Sequence, residues 1–439
     1  MRRVLLVSFF FPPSSVVGAV RATKLARYLP AHGWEPTVLT VDRFVSRPAT
    51  LGLDEPAPRV VRARFPDPVG AILARRRTGG RPAAATAGAP GTGALGGLVT
   101  GLARNLPGVT TVHLPDRALP WYGPAVVAGL SALRHAPFDV ILSTAPPPTA
   151  HLVAATLARL TGIPWVADYR DLWSGNLAAT MGPVRRRVEA ALERRVVAGA
   201  RTLVTVSAPV AEALERLHGL PARVVTNGFD PAEGAVPALA PEGRFTLTYT
   251  GSMYAKWHDP APLLAGIALV RDREGLTPAD LRVRFYGSEH EPLPPLVERY
   301  GVSDFVRLHG LVPRAEAVAR QRVADALLVL GWNTPSDQGM LTLKALEYLQ
   351  ARRPILLVGG GADSELSRLL TEARVGTYCG SAEEVAATLA GWIDTRRTRG
   401  RVGFTGDPEV IARYSWERLA GDFAVVLEAA AGYPDTRSE

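Results

Sequence analysis

Residues 339–358, GMLTLKALEYLQARRPILLV, decide how this chain is read. The stretch divides into an amphipathic helix, a tight turn and a short apolar strand. Met340, Leu341, Leu343, Ala345, Leu346 and Leu349 supply the apolar or small positions. Lys344 and Glu347 are three apart and share one helix face. On an open surface such a pair is worth little. Composition gives a reason to look further. Of 50 basic residues only three are lysine: Lys24, Lys256 and Lys344. Where almost every other basic position is arginine, a retained lysine points to a flexible point charge rather than a planar fork.

The same helix–strand rhythm runs outward in both directions. In the first half, strands are expected at 4–10, 36–41, 138–143, 165–168, 202–206 and 222–226. Helical patterns fall between them, the first over 18–32. In the second half, strands are expected at 246–250, 282–286, 306–309, 326–330 and 354–358, again separated by helical patterns. Alternating βα units imply parallel sheets covered on both faces. The fold class is therefore α/β, with two Rossmann-like domains facing a central cleft. The expected boundaries are 1–230, a linker at 231–243 rich in Pro, Ala and Glu, 244–410, and a final helical segment at 411–439. Residues 66–110 are rich in Gly, Ala and Pro, too poor in apolar bulk to build core, and read as a mobile loop.

Composition narrows the function classes. The chain has 439 residues, 47% hydrophobic and 21% charged, which suits an enzyme with full cores. One cysteine, Cys379, excludes an intrachain disulfide framework and fits a reducing compartment. No apolar run reaches the ~18 residues of a spanning helix. The opening MRRVLLVSFFFPPSS ends its apolar run in Pro12–Pro13 and reads as a first buried strand rather than a signal peptide. Net charge is uneven: +13 over 1–230 and −4 over 231–439. The basic half suits an anionic partner, or it reflects arginine-rich composition alone. No binding motif accompanies it, so nucleic acid is not expected. The expected location is cytoplasmic, with peripheral contact at the inner face of an anionic membrane.

Ligands of open α/β sheets bind beyond the carboxyl ends of the strands, so the loops after strands matter most. After the first strand, PPSSVVGAVR brings Gly18 to a helix start, where small residues and helix-end amides favour an anion. It is not a G-x-G-x-x-G, which removes the dinucleotide fingerprint and with it a dehydrogenase. After 246–250 comes GSMYAKWHDPAP. Gly251 gives a tight turn, Lys256 a mobile cation and the helix beyond a positive dipole end, a combination suited to diphosphate. After 326–330 comes GWNTPSDQGM, which carries Asp337 and Gly339 into the Lys344/Glu347 helix. After 165–168 comes YRDLWSGN. Arg170 and Asp171 there either project toward the cleft or form a buried pair that braces the loop. Cys379 has no histidine nearby in sequence, so neither a metal site nor a thiol nucleophile is indicated.

In this order and spacing these pieces, together with LPDRALPWYGPAV, VTVSAPVAEAL and VVTNGFDP, resemble the family 4 retaining glycosyltransferases of the GT-B fold. The resemblance covers nearly the whole chain. It implies an acceptor-binding N-terminal domain, a C-terminal domain that binds a nucleotide-sugar, and a last helix that crosses back to the N-terminal domain. The family's Glu-x7-Glu motif places one carboxylate on the donor sugar and the second on the ribose. Glu347 matches the second; the first falls on Gly339, so Asp337, Gln338 or backbone amides near Gly339 and Met340 would take its place. The resemblance further implies that Gly251, Ser252 and Lys256 hold the diphosphate, with Ser252 where the family has an arginine. Tyr286, Gly287 and Leu311 would flank the base. Lys256 and Lys344 would carry the leaving-group charge. Arg170 and Asp171 stand where many relatives have a His–Asp pair. The implied reaction is retaining hexosyl transfer without metal or cofactor, a UDP- or GDP-sugar being co-substrate. The acceptor would be a glycan, a lipid carrier or a small molecule. An epimerase of the same fold and a non-catalytic nucleotide-sugar binder are the alternatives.

Overall fold

The computed structural model describes residues 1–14, 16–42, 58–66, 114–176, 181–234, 236, 239–333 and 341–433. Two parallel sheets organise them. The first contains β1 (Arg2–Val7), β2 (Trp34–Val41), β3 (Arg59–Ala63), β4 (Val140–Ala145), β5 (Trp165–Tyr169), β6 (Thr202–Thr205) and β7 (Ala222–Val224). Their spatial order is β3-β2-β1-β4-β5-β6-β7. The second contains β8 (Phe245–Thr250), β9 (Leu281–Tyr286), β10 (Val306–Gly310), β11 (Ala326–Leu330), β12 (Ile355–Val358) and β13 (Gly376–Cys379). Their order is β10-β9-β8-β11-β12-β13. The winding direction reverses between β1 and β4, and again between β8 and β11. Such reversals open a crevice at the carboxyl ends of the strands.

The apolar runs explain why both faces of each sheet are covered. In β1, Leu5 and Val7 join one core while Val4 and Leu6 join the other. In β11, Ala326, Leu328 and Leu330 face one core and Leu327 and Val329 the opposite one. A two-residue alternation in which both phases are apolar is the pattern of a parallel strand between helical layers.

Two strands escape the sequence expectation. β3 is an edge strand whose five residues, RVVRA, include two arginines, so its apolar signal is weak. β13 starts on Gly376, where a Cβ would stand 2.1 Å from the Ile355 carbonyl oxygen. The backbone there lies too close to β12 for any other side chain. The expected first helix over 18–32 is two elements: an α-helix Val17–Tyr28 and a 3-10 turn Leu29–His32 that ends on Gly33 at φ 79°. Pro30 lacks the N–H that would continue the α-helical ladder. Of the stretch 66–110, all but residue 66 lies outside the described residues.

The chain crosses between its halves twice. Phe229 N–H donates to the Tyr414 carbonyl at 2.9 Å, and Trp416 N–H donates to the Phe229 carbonyl at 2.9 Å. Gly228 permits this approach, since a Cβ there would lie 2.3 Å from the Tyr414 oxygen. Phe229 packs into the C-terminal core, while Trp416 packs into the N-terminal one. The last helix, Trp416–Ala431, buries Trp416, Phe423 and Leu427 against Leu6, Leu142 and Val166. Beside it, Arg21 of the first helix pairs with Asp168 at the end of β5 at 2.8 Å, both fully buried. The same guanidinium donates to the carbonyls of Val225 and Thr226. It thus ties the first crossover to the sheet. Removing one member of such a pair typically costs about 3–5 kcal/mol.

No helix among the described residues is long and apolar enough to cross a membrane.

Candidate functional site

The ends of β8, β9 and β10 meet through two glycines. Gly251 follows β8 at φ 120° and Gly287 follows β9 at φ 137°. Gly251 N–H donates to the Tyr286 carbonyl at 2.7 Å, and Gly287 N–H donates to the Gly310 carbonyl at 2.7 Å. A Cβ on Gly287 would lie 2.2 Å from the Gly251 oxygen. Left-handed φ and close approach together demand glycine at this position. The turn is pinned from the far side as well: His290 Nε2 lies 3.0 Å from the Gly251 oxygen, and Ser252 Oγ lies 2.9 Å from Ser288 Oγ.

Lys344 reaches this turn from the first turn of the helix Leu343–Ala351. Its ammonium sits 4.1 Å above the Tyr249 ring, donates to the Tyr249 hydroxyl, and donates to the Ser252 carbonyl at 3.2 Å. The Tyr249 hydroxyl in turn donates to the same carbonyl at 2.7 Å. No carboxylate among the described residues accepts a hydrogen bond from Lys344. Burial pulls its pKa down to about 7, against the raising effect of the nearby Glu347 charge. Glu347 itself is held elsewhere: its Oε1 accepts from Arg314 Nη2 at 2.9 Å. The cation is therefore half-buried beside a glycine turn with only neutral acceptors. That is the electrostatic state of a site that gains from an anion.

Three polar atoms on the same strand ends and loops have no partner among the described residues: the Tyr286 hydroxyl, His258 Nε2 and Thr342 Oγ1. Buried polar groups are ordinarily satisfied, so their gathering here marks the region. Tyr286 stacks on His309 at 4.4 Å, giving a flat wall at the ends of β9 and β10. Leu311, just beyond, is 60% exposed. Trp257 and Trp332 stack at 5.6 Å on the loops after β8 and β11.

The expected site residues separate into groups. Gly251, Ser252, Lys344 and Glu347 share one cluster with the ends of β9 and β10, where Tyr286, Gly287 and Leu311 lie. Lys256 is exposed, its ammonium 4.4 Å above the Trp257 ring. Asp337, Gly339 and Met340 lie outside the described residues. Gly18, Arg170 and Asp171 belong to the N-terminal half. The Arg170 guanidinium donates to the carbonyls of Ala145, Pro146 and Gly18, so it ties the end of β4 to the start of the first helix. Burial holds the neighbouring Asp171 carboxyl above its ordinary range, against the lowering effect of Arg170. A Cβ on Gly18 would press on the Phe10 ring at 2.8 Å, which gives that glycine a packing role.

Residue-by-residue reading passed over Tyr249, Ser288, His290 and Arg314. Tyr249 lies in an apolar strand pattern, and nothing local distinguishes its hydroxyl. Arg314 is one arginine among many, and only the fold brings it to Glu347.

Comparison with known proteins finds a family domain in the N-terminal part of the chain and the same fold in solved structures. Residues 18–228 match the model of a glycosyl transferase 4-like domain. An MMP alpha-(1→4)-mannosyltransferase of Mycolicibacterium hassiacum is 25% identical over 254 residues. That match covers 54% of this chain and 56% of the relative, so the chain spans about half the length of the curated relative it matches. Among solved structures, a sucrose-phosphate synthase from Thermosynechococcus elongatus aligns with TM-score 0.64 at 15% identity, covering 98% of this chain and 99% of the other. Anabaena HepE, solved in complex with UDP, aligns with TM-score 0.62 at 13% identity, covering 98% and 100%. The two wound parallel sheets and these alignments give the GT-B fold, and residues 18–228 carry a glycosyl transferase 4-like domain.

Proposed function

We propose that this chain is a retaining glycosyltransferase that moves a sugar from a nucleoside-diphosphate sugar to an acceptor hydroxyl. One observation carries the reading: Lys344 is half-buried beside the Gly251–Ser252 turn and, among the described residues, is hydrogen-bonded to neutral acceptors alone. A diphosphate placed there would meet a fixed cation and the amides of a strand–helix loop. Charge developing on a leaving group is stabilised best by donors already in place. Glu347, one helical turn on, is positioned for ribose hydroxyls, and the Tyr286–His309 wall for the base. UDP in the HepE structure and the mannosyltransferase activity of the curated relative support this donor class, with UDP- or GDP-sugars the leading candidates.

In the proposed reaction the bond between the anomeric carbon and the β-phosphate oxygen breaks, and its electron pair leaves with the diphosphate. The acceptor oxygen forms the new bond on the same face, and its proton passes to the departing phosphate. Lys344 and Lys256 carry the leaving charge, and no metal is needed for that role. The acceptor side belongs to the N-terminal half, with Arg170 and Asp171 beside it. The test is a thermal-shift screen against UDP, GDP, ADP, dTDP and their common sugars. A ligand bound only by the folded chain raises its melting temperature. A shift with one nucleotide series, lost in Glu347→Ala, supports the reading, and no shift with any of them defeats it.

Peripheral membrane contact is proposed for the helix Pro183–Val197. Val184 and Val188 are 73% and 46% exposed, and Arg187, Arg194 and Arg195 are exposed beside them. Cosedimentation with phosphatidylglycerol vesicles but not phosphatidylcholine vesicles is expected; equal recovery with both would count against it.

A further inference from the structure

Glu347 is held by a residue that also grips the 3-10 turn Pro231–Gly234 between the two halves, the hinge of the chain. Arg314 opens the helix Arg314–Val323 and donates through Nε and Nη2 to Glu233 Oε2, at 2.9 and 2.6 Å. The same Nη2 donates to Glu347 Oε1 at 2.9 Å, leaving Glu347 Oε2 with no protein donor among the described residues. Glu233 lies in the 3-10 turn Pro231–Gly234, immediately after the first crossover. Its other oxygen, Oε1, accepts from Lys24 at 2.5 Å, and Lys24 also donates to Asp230 at 2.6 Å. Lys24 is on the first helix of the N-terminal half and is 5% exposed. Tyr28, one turn further along that helix, donates to the other Asp230 oxygen at 2.5 Å. From the opposite side Gln350, on the Glu347 helix, donates to the carbonyls of Asp230 and Pro231 at 2.8 and 3.1 Å. The hinge is thus gripped by both halves, and the charges alternate in an unbroken row: Lys24, Glu233, Arg314, Glu347.

We propose that Arg314 is a positioning residue that sets Glu347 for the donor and couples that setting, through Glu233 and Lys24, to the orientation of the two halves of the chain. The physical reason is that one guanidinium serves two carboxylates. A planar fork held at Nε and Nη2 by Glu233 has little freedom left, so the Nη2 hydrogen facing Glu347 is fixed in direction. Glu347 then offers Oε2 from a single rotamer. If Glu233 moves with the hinge, the fork turns and Glu347 loses its orientation. Donor affinity therefore depends on a residue that does not touch the donor. This inference rests on the proposed donor site, and its test separates the two.

UDP and GDP are titrated calorimetrically into the full chain and into Glu347→Gln, Glu233→Gln, the double variant, Arg314→Lys and Arg314→Met. Both glutamine changes are isosteric and at partly exposed positions, and circular dichroism checks that each variant is folded. With the better-binding nucleotide, Glu347→Gln is expected to weaken binding about tenfold and Glu233→Gln about three- to tenfold. The double variant should bind no more weakly than Glu347→Gln alone, because both changes act through one guanidinium. Arg314→Lys should recover part of what Arg314→Met loses. A Glu233→Gln chain that binds as wild type while Glu347→Gln does not overturns the coupling. So do losses in the two glutamate variants that multiply independently. If neither nucleotide binds wild type, or Glu347→Gln binds normally, the donor-site reading falls and the inference falls with it.

Discussion

Replacing Lys344 by methionine should make the chain more stable and unable to bind its donor. The ammonium is held by the Tyr249 ring, the Tyr249 hydroxyl and one carbonyl, and burial brings its pKa from 10.5 to about 7. At about 1.4 kcal/mol per unit, keeping this group inside the fold costs roughly 4–5 kcal/mol near neutral pH. Methionine fills similar volume and removes that term. It also loses the two hydrogen bonds of the amine, about 1 kcal/mol each. The Tyr249 hydroxyl stays satisfied, because it donates to the Ser252 carbonyl independently. The balance is a gain of about 2 kcal/mol and a melting temperature higher by a few degrees. Donor binding moves the other way. Loss of a preorganised cation costs about 2–4 kcal/mol, or roughly 30- to 1,000-fold in Kd. Differential scanning fluorimetry with and without UDP or GDP reads both effects at once. A variant that melts lower than wild type yet keeps its full nucleotide-induced shift would refute the reasoning.

The pH dependence follows from the same group. An anion beside Lys344 favours its protonated form, so binding takes up a proton above about pH 7. Affinity for a nucleoside diphosphate should fall from pH 7 toward 9 by up to about tenfold per unit, and titration in buffers of different protonation enthalpy should show the uptake; a flat profile would remove Lys344 from the site. Gly287→Ala puts a Cβ 2.2 Å from the Gly251 oxygen at φ 137°. It should cost more than about 2 kcal/mol and abolish the nucleotide-induced shift, while an unchanged melting temperature would show that the turn can open cheaply. Lys256→Ala, at an exposed position, should leave stability alone and lower transfer by about 2–4 kcal/mol of transition-state stabilisation; wild-type rates would end its role.

Much of the architecture was legible because the strands are apolar on both faces. β8, β9 and β11 lie within a residue of their expected bounds, since runs such as ALLVL have no other plausible home than a covered sheet. β3 and β13 were not legible. One carries arginines at an edge, and the other begins on a glycine whose meaning appears only when β12 lies beside it. The scarcity of lysine was a better guide to the site than any local motif. Lys344 is the half-buried cation at the glycine turn, and Lys24, noted for the same reason, grips the hinge from the first helix. The Lys344/Glu347 spacing told only part of the arrangement. Spacing puts both on one helix face, yet Glu347 bonds to Arg314 and Lys344 to Tyr249 and Ser252. No helical periodicity reports a partner from another element. Arg170 shows the same limit: its three carbonyl acceptors come from the end of β4 and the start of the first helix.

The most direct test of the central claim is a crystal structure of the full chain grown with UDP or GDP, whichever gives the larger thermal shift. The account predicts a phosphate oxygen within hydrogen-bonding distance of Lys344 Nζ, over the Gly251–Ser252 turn, with a ribose hydroxyl on Glu347. A nucleotide bound elsewhere, with Lys344 still donating only to Tyr249 and Ser252, would contradict it.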